Sequence, residues 1–179
     1  SQKTSPKKYT NSNMSTTQKP SNASSAFNPS VHIYTDGAAR GNPGPGGYGI
    51  VLEKVGSTYR KEFFGGYRYT TNNRMELRAV IEALGKLKTP GIDVLIYTDS
   101  KYVVDAVEKK WLDKWVNTGF KDKKNPDLWK AYLQAAAPFR VKFQWIKGHN
   151  QHPQNERCDA LAVAASHQPN LPQDKGMPS

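Results

Sequence analysis

Two separate apolar runs in this chain end on the same three residues, Tyr34-Thr35-Asp36 and Tyr97-Thr98-Asp99. In the first, Val31, Ile33 and Thr35 alternate with His32, Tyr34 and Asp36, the period of a half-buried strand. The second, Ile92–Thr98, follows a Pro90-Gly91 break and also reads as a strand. If the two are sheet neighbours, their aspartates emerge together at one edge, where open α/β sheets build ligand sites.

The remaining pattern fills in such a sheet. A Gly/Pro turn over 41–47 leads to a second strand, Tyr48–Val55, and Gly56-Ser57 turns into a third, Thr58 to Tyr67, making an antiparallel meander. Asn72 to Leu87 has helical spacing, with Met75, Ala79, Val80, Ala83 and Leu84 on one face and Thr71 or Asn72 as cap. Helices are expected from Ser100 to Lys110 and over Asp127–Ala137, with Trp111–Phe120 between them as another helix or turn. Val141–Ile146 makes a fifth strand, and Pro153 opens a last helix reaching Ser166. The order βββ-α-β-α-α-α-β-α implies a five-stranded mixed α/β sheet, its first three strands antiparallel, with helices on its faces.

Residues 1–30 are mostly Ser, Thr, Asn, Lys and Pro, too polar to bury a core, and are expected to be a disordered basic tail. A folded domain over 31–166 and a short flexible tail over 167–179 complete the expected organisation. No run is long enough for a membrane span, and Cys158 is the single cysteine, which fits a reducing, cytoplasmic setting. The net charge of +11 is concentrated in the acid-free first 30 residues and between Lys109 and Lys124. Such an excess suits a polyanion such as nucleic acid, and equally a solvated surface.

Four carboxylates stand where local structure has no use for them. Asp36 and Asp99 end strands, while Glu76 and Asp159 lie on helix faces given to packing. A carboxylate so placed is costly unless compensated, and hard divalent cations are the usual compensation. Were the four to converge with no Arg or Lys among them, they would repel unless cations bridged them. Two Mg²⁺ ions about 3.5–4 Å apart, clamping a phosphodiester, are the known chemical use of such a cluster. Ligand types alone also admit a zinc site from His149, His152 and Cys158, but their spacing matches no usual zinc pattern. Gly44-Pro45-Gly46-Gly47-Tyr48-Gly49 fits a dinucleotide fingerprint formally, yet it precedes a strand, where that motif opens a helix. Its glycines are expected to serve the turn and to let a ligand approach the backbone.

Six phrases occur in order: Tyr34-Thr35-Asp36-Gly37, Gly41 to Gly49, Thr70 to Leu77, Thr98-Asp99-Ser100, Trp145 to His149, and Asn155 to Asp159. Through them residues 31–166 resemble the type 1 ribonuclease H family, most of all its bacterial branch, ribonuclease HI. The resemblance implies a ribonuclease H-like fold and a two-metal hydrolysis of the RNA strand of RNA/DNA hybrids, with 5′-phosphate and 3′-hydroxyl ends. It makes Asp36, Glu76, Asp99 and Asp159 the metal-binding and catalytic acids, with two Mg²⁺ ions or, as substitute, Mn²⁺. His149 takes the family's role of proton shuttle or product-release aid.

The same resemblance implies the substrate contacts. Asn42, Asn72 and Asn73 lie where relatives read both strands, and Thr71 and Asn125 where they hold a DNA phosphate. Trp111 together with Lys121, Lys123 and Lys124 matches the family's basic handle, with Trp111 toward the DNA strand and Trp115 and Trp129 structural. The chain departs from the family at Tyr69, where an arginine is frequent, at Lys101, where glutamine is frequent, and in a shorter stretch from Phe120 to Trp129. A monomer acting on the hybrid, with no membrane partner, is the expectation.

Overall fold

Residues 26–148 and 152–177 are described by a computed structural model. The three β-branched and aromatic runs form a meander of β1 (Pro29–Ala39), β2 (Gly44–Lys54) and β3 (Arg60–Thr70). Then come α1 (Asn72–Gly85), β4 (Asp93–Thr98), α2 (Lys101–Glu108), α3 (Trp111–Asn117), α4 (Pro126–Ala136), β5 (Arg140–Trp145) and α5 (Pro153–Ser166). The sheet order is β3-β2-β1-β4-β5. The first three strands are antiparallel, and β4 and β5 run parallel to β1. This is the expected mixed sheet.

The two sheet faces bury different material. On one, Ile33, Ile50, Val94 and Ile96 pack against Leu77, Val80 and Leu84 of α1 and Trp129 of α4. On the other, Tyr34 and Val51 meet Cys158 of α5, with Tyr97 beside them. Fully burying one such aliphatic side chain stabilises by roughly 1.5–3 kcal/mol, so the α1 face dominates the fold's stability. Among the described residues, no helix is long and apolar enough to cross a membrane.

Two expectations are corrected. The first concerns the glycine run, because β2 begins at Gly44, inside the stretch expected to be turn. Gly41, with φ 86°, and Gly44, where a Cβ would meet the Arg40 carbonyl, serve the turn as expected, but Gly49 serves helix packing: a Cβ there would run into the carbonyl oxygen of Cys158. Only a strand without side chains on that face lets α5 lie so close. The second concerns residues 167–177, expected as part of a tail leaving the domain, which instead fold back onto it. Arg68 N donates to the Pro172 carbonyl at 2.9 Å, and Asp174 is only 1% exposed.

Asp174 is buried because it is paired. Arg74, 2% exposed on α1, donates from Nε to Asp174 Oδ2 at 2.8 Å and from Nη2 to Asp174 Oδ1 at 2.8 Å. The same guanidinium reaches Asp127 at the start of α4 through two bonds of 2.9 and 2.7 Å. Thr70 Oγ1 adds a bond of 2.7 Å to Asp174. Burial alone would raise the Asp174 pKa, but the bonds from Arg74 and Thr70 prevail and hold it below the usual value. One arginine thus ties α1, α4 and the returning C-terminal segment together.

Candidate active site

The parallel register of β1 and β4 brings the two Tyr-Thr-Asp phrases side by side. Tyr34 pairs with Tyr97, their rings stack at 4.6 Å, and Asp36 and Asp99 each follow two residues later. Asp36 does not end its strand as the sequence suggested. β1 continues to Ala39, paired with β2 as Asp36↔Gly49 and Ala39↔Gly46, so Asp36 lies within a continuing strand held by β2. Asp99 lies between the end of β4 and α2, whose N-cap Ser100 accepts from Val103 N at 3.3 Å.

Glu76 comes from the second turn of α1. Thr71 caps that helix by accepting from Arg74 N. The helix lies so close to β1 that a Cβ at Gly37 would collide with the backbone of Met75 and Glu76. Gly37 therefore sets the separation between Asp36 and Glu76. One carboxylate oxygen from each of Asp36, Glu76 and Asp99 falls within 4.8 Å of the others. Asp159, on α5, stands within hydrogen-bonding reach of the Asp36 carboxyl. Three of the four sequence-predicted acids thus meet at one point, and the fourth, Asp159, stands beside Asp36.

The electrostatics show what such a cluster lacks. Burial first, then the Asp99 and Asp159 carboxyls, push the Asp36 pKa up to about 8, against one opposing bond from Gly37 N at 2.9 Å. Glu76 is raised well above the ordinary carboxylate range, by burial and then by Asp36 and Asp99. Its Oε1 is shut off from solvent with no hydrogen-bond partner. Oxygen donors, close spacing and an unpaired buried acceptor fit a hard divalent cation. The zinc alternative fits poorly, since Cys158 is buried and its thiol donates to the Tyr34 carbonyl at 3.2 Å. His149 lies outside the described residues.

Several of the expected substrate contacts are joined to one another. Asn42 Oδ1 accepts from Asn72 N at 2.9 Å, and Asn72 Oδ1 accepts from Ala39 N at 2.7 Å. The β1–β2 turn and the start of α1 therefore form one unit beside the acids, with Asn73 exposed on it. Asn125 accepts from Arg74 at 3.2 Å and donates to the Tyr102 hydroxyl at 3.1 Å. Its left-handed backbone, φ 61°, starts α4. Trp111 is 41% exposed, and Lys121, Lys123 and Lys124 are exposed. Trp111, Trp115, Lys123 and Lys124 line one cleft together with Lys101. Trp129 is fully buried and donates to Tyr102, as expected of a structural residue.

Two contributors escaped the sequence reading. Trp145 Nε1 donates to the main-chain carbonyl of Asp99 at 3.0 Å, fixing the backbone of a cluster acid from β5. Its ring also carries Lys101 Nζ at 4.7 Å from the centroid. Arg74 braces α4 and Asn125 from α1 at once. Both residues occur in the matched phrases, but nothing in their spacing names their partners.

The ribonuclease H family model matches residues 28–167. A ribonuclease H of Sulfurovum sp. (strain NBC37-1) is 58% identical over 132 residues, covering 74% of this chain and 87% of that protein. One from Desulforamulus reducens is 55% identical over 149 residues, covering 80% of this chain and 92% of its own. Among solved structures, LC9-RNase H1, described as a type 1 RNase H with the type 2 active-site motif, superposes with a TM-score of 0.69 at 36% identity. That match covers 80% of this chain and 74% of the other. LC11-RNase H1, solved in complex with an RNA/DNA hybrid, gives 0.55 at 30% identity, covering 75% and 95%.

Proposed function

Because the chain belongs to the ribonuclease H family, whose members are metal-dependent nucleases, we propose that it cuts the RNA strand of RNA/DNA hybrids at a two-metal site. The products are 5′-phosphate and 3′-hydroxyl ends, since the bond that breaks is that between phosphorus and the 3′ oxygen. The observation that carries this reading is the meeting of Asp36, Glu76 and Asp99 oxygens within 4.8 Å, with Asp159 alongside and Glu76 Oε1 unpaired.

Asp36, Glu76, Asp99 and Asp159 are the residues that hold the ions, Mg²⁺ first and Mn²⁺ as an alternative. Such ions, when bound, supply a nucleophile at neutral pH and neutralise charge on the departing oxygen. The protein's own part is positioning. The joined unit of Asn42, Asn72 and Asn73 presents short polar groups and backbone beside the acids, where 2′-hydroxyls distinguish RNA from DNA. Thr71 and Asn125 steady a DNA phosphate. Trp111 with Lys121, Lys123 and Lys124 grips the DNA strand without reading its sequence. His149, between β5 and α5 in the chain, carries protons during turnover. The enzyme works as a cytoplasmic monomer whose catalytic domain includes the C-terminal segment folded back onto it.

One assay tests the reading. Labelled RNA/DNA hybrid, duplex DNA and duplex RNA are incubated with Mg²⁺ and then with EDTA. Only the hybrid is expected to be cut, and EDTA to abolish cutting. Equal cleavage of duplex DNA would overturn the assignment.

A further inference from the structure

The end of the sheet opposite the acids carries a second concave site. α1 ends at Gly85 with Lys86 as its cap, and past that point the sheet face opens into a cavity of about 520 Å³. That volume lies within the range of small-molecule sites. Val31, Leu52, Phe63 and Leu87 form an apolar floor, with Tyr59 at one side. The rim is Lys54, Lys61, Lys86 and Lys88, and among the described residues no carboxylate lines the cavity. Val31 precedes Asp36 by five positions on β1, so the site lies roughly 17 Å from the acidic cluster at ~3.3 Å per strand residue.

Its chemistry selects a ligand type. Four ammonium groups share this rim with no acid among the described lining residues, so an anion relieves their mutual repulsion. The C-terminal carbonyls of α1 oppose an anion with about half a charge, which Lys86 and Lys88 outweigh. The floor asks for a flat apolar body, because Phe63 and Tyr59 offer ring surfaces. Lys86 Nζ already lies 4.8 Å from the Phe63 centroid, so cation and aromatic surface are adjacent. We propose that this cavity binds a nucleotide unit, its base against the aromatic floor and its phosphates held by the lysine rim. The unit is either a free nucleotide or an unpaired terminal nucleotide of a strand. This site stands apart from the hydrolytic reading and does not depend on it.

The test is a titration of the ¹⁵N-labelled full chain in EDTA, so that nothing is cut, with ATP, adenosine, inorganic triphosphate, a 5′-phosphorylated DNA pentanucleotide and decyl sulfate. ATP is expected to shift the amides of Val31, Leu52, Phe63 and Leu87 saturably. Adenosine and triphosphate alone bind about tenfold or more weakly, since each forgoes one half of the recognition. Paired Lys61→Glu and Lys88→Glu changes, at exposed positions, weaken ATP by about tenfold or more and leave kcat on the hybrid unchanged. Paired Lys123→Glu and Lys124→Glu changes leave the cavity shifts in place. Tighter binding of the pentanucleotide than of ATP identifies a strand end as the ligand, and the reverse order a free nucleotide. No cavity shifts at millimolar ATP, equal shifts from triphosphate alone, or saturation by decyl sulfate but not ATP would each overturn the proposal.

Discussion

Replacing Asp36 with Asn should stabilise the metal-free protein at alkaline pH while abolishing its activity. Asp36 is 8% exposed and shares the cleft with carboxylate oxygens no more than 4.8 Å away. Each such pair of charges repels by ~3.5 kcal/mol or more at an effective dielectric constant near 20. Burial and these neighbours raise its pKa from 3.8 to about 8. At about 1.36 kcal/mol per tenfold change in proton affinity, that interval corresponds to ~6 kcal/mol as an upper bound. Water entry and relaxation of the cleft reduce it, and about 3 kcal/mol is the working figure.

The sign follows from proton linkage. The folded carboxyl binds its proton more tightly than the unfolded chain does, so it favours folding fully only below about pH 4. That advantage drains away as pH rises through about 8. Asparagine mimics the protonated form at every pH. In EDTA, melting followed by circular dichroism should therefore show nearly equal Tm values for Asp36→Asn and the parent at pH 4. At pH 8.5 the variant should melt roughly 6–12 °C higher, taking about 2–4 °C per kcal/mol for a chain of this size. Adding Mg²⁺ at pH 8.5 should narrow the gap by stabilising the parent more. Equal melting temperatures at pH 8.5, or an equal advantage at both pH values, would refute the repulsive cluster.

Three further expectations test its supports. Asp174→Ala leaves the Arg74 guanidinium buried with Asp127 as its remaining carboxylate, and should destabilise by ~2–4 kcal/mol in denaturant melts. Trp145→Phe keeps a ring but removes the donor to the Asp99 carbonyl; the Mg²⁺ concentration for half-maximal rate should rise about tenfold, with the KM for hybrid little changed. Lys→Glu changes at Lys121, Lys123 and Lys124 should raise KM and lower the slope of log KM against log salt by about one for each phosphate the lysines no longer hold. An unchanged slope would remove the lysines from the phosphate grip.

Periodicity was enough to order the elements, because apolar runs at strand or helix spacing are separated by Gly/Pro and polar breaks, although β1 and β2 are buried on both faces. The twin Tyr-Thr-Asp phrases even anticipated which strands are neighbours, since parallel strands in one register carry like residues to like positions. Side-chain pattern does not say where pairing stops. Asp36 looked terminal because apolar alternation ends there, yet Gly37, Ala38 and Ala39 keep pairing with β2 through backbone bonds alone. Glycine is ambiguous for the same reason: a missing side chain reads as a turn until α5 is seen lying on Gly49. The returning segment was illegible because its anchor is a charge. Asp174 sits in a polar, proline-rich stretch with no apolar period, and its partners, Arg74 above all with Thr70 and Arg78, lie about 100 residues away in the chain.

That division has a consequence for the site. The four acids come from β1, α1, the end of β4, and α5, so no single element can bring them together. What sets their spacing is a group of residues outside the acidic cluster: Gly37 admits α1 to β1, Trp145 ties Asp99 to β5, and Arg74 locks α1 to α4 and the C-terminal segment. Each acid can be recognised in a sequence by its own phrase. The supports act across elements, and the repulsion they must withstand exists only once the acids have met. A cleft assembled against its own charge is held from outside, by packing and by one buried arginine, until cations enter it.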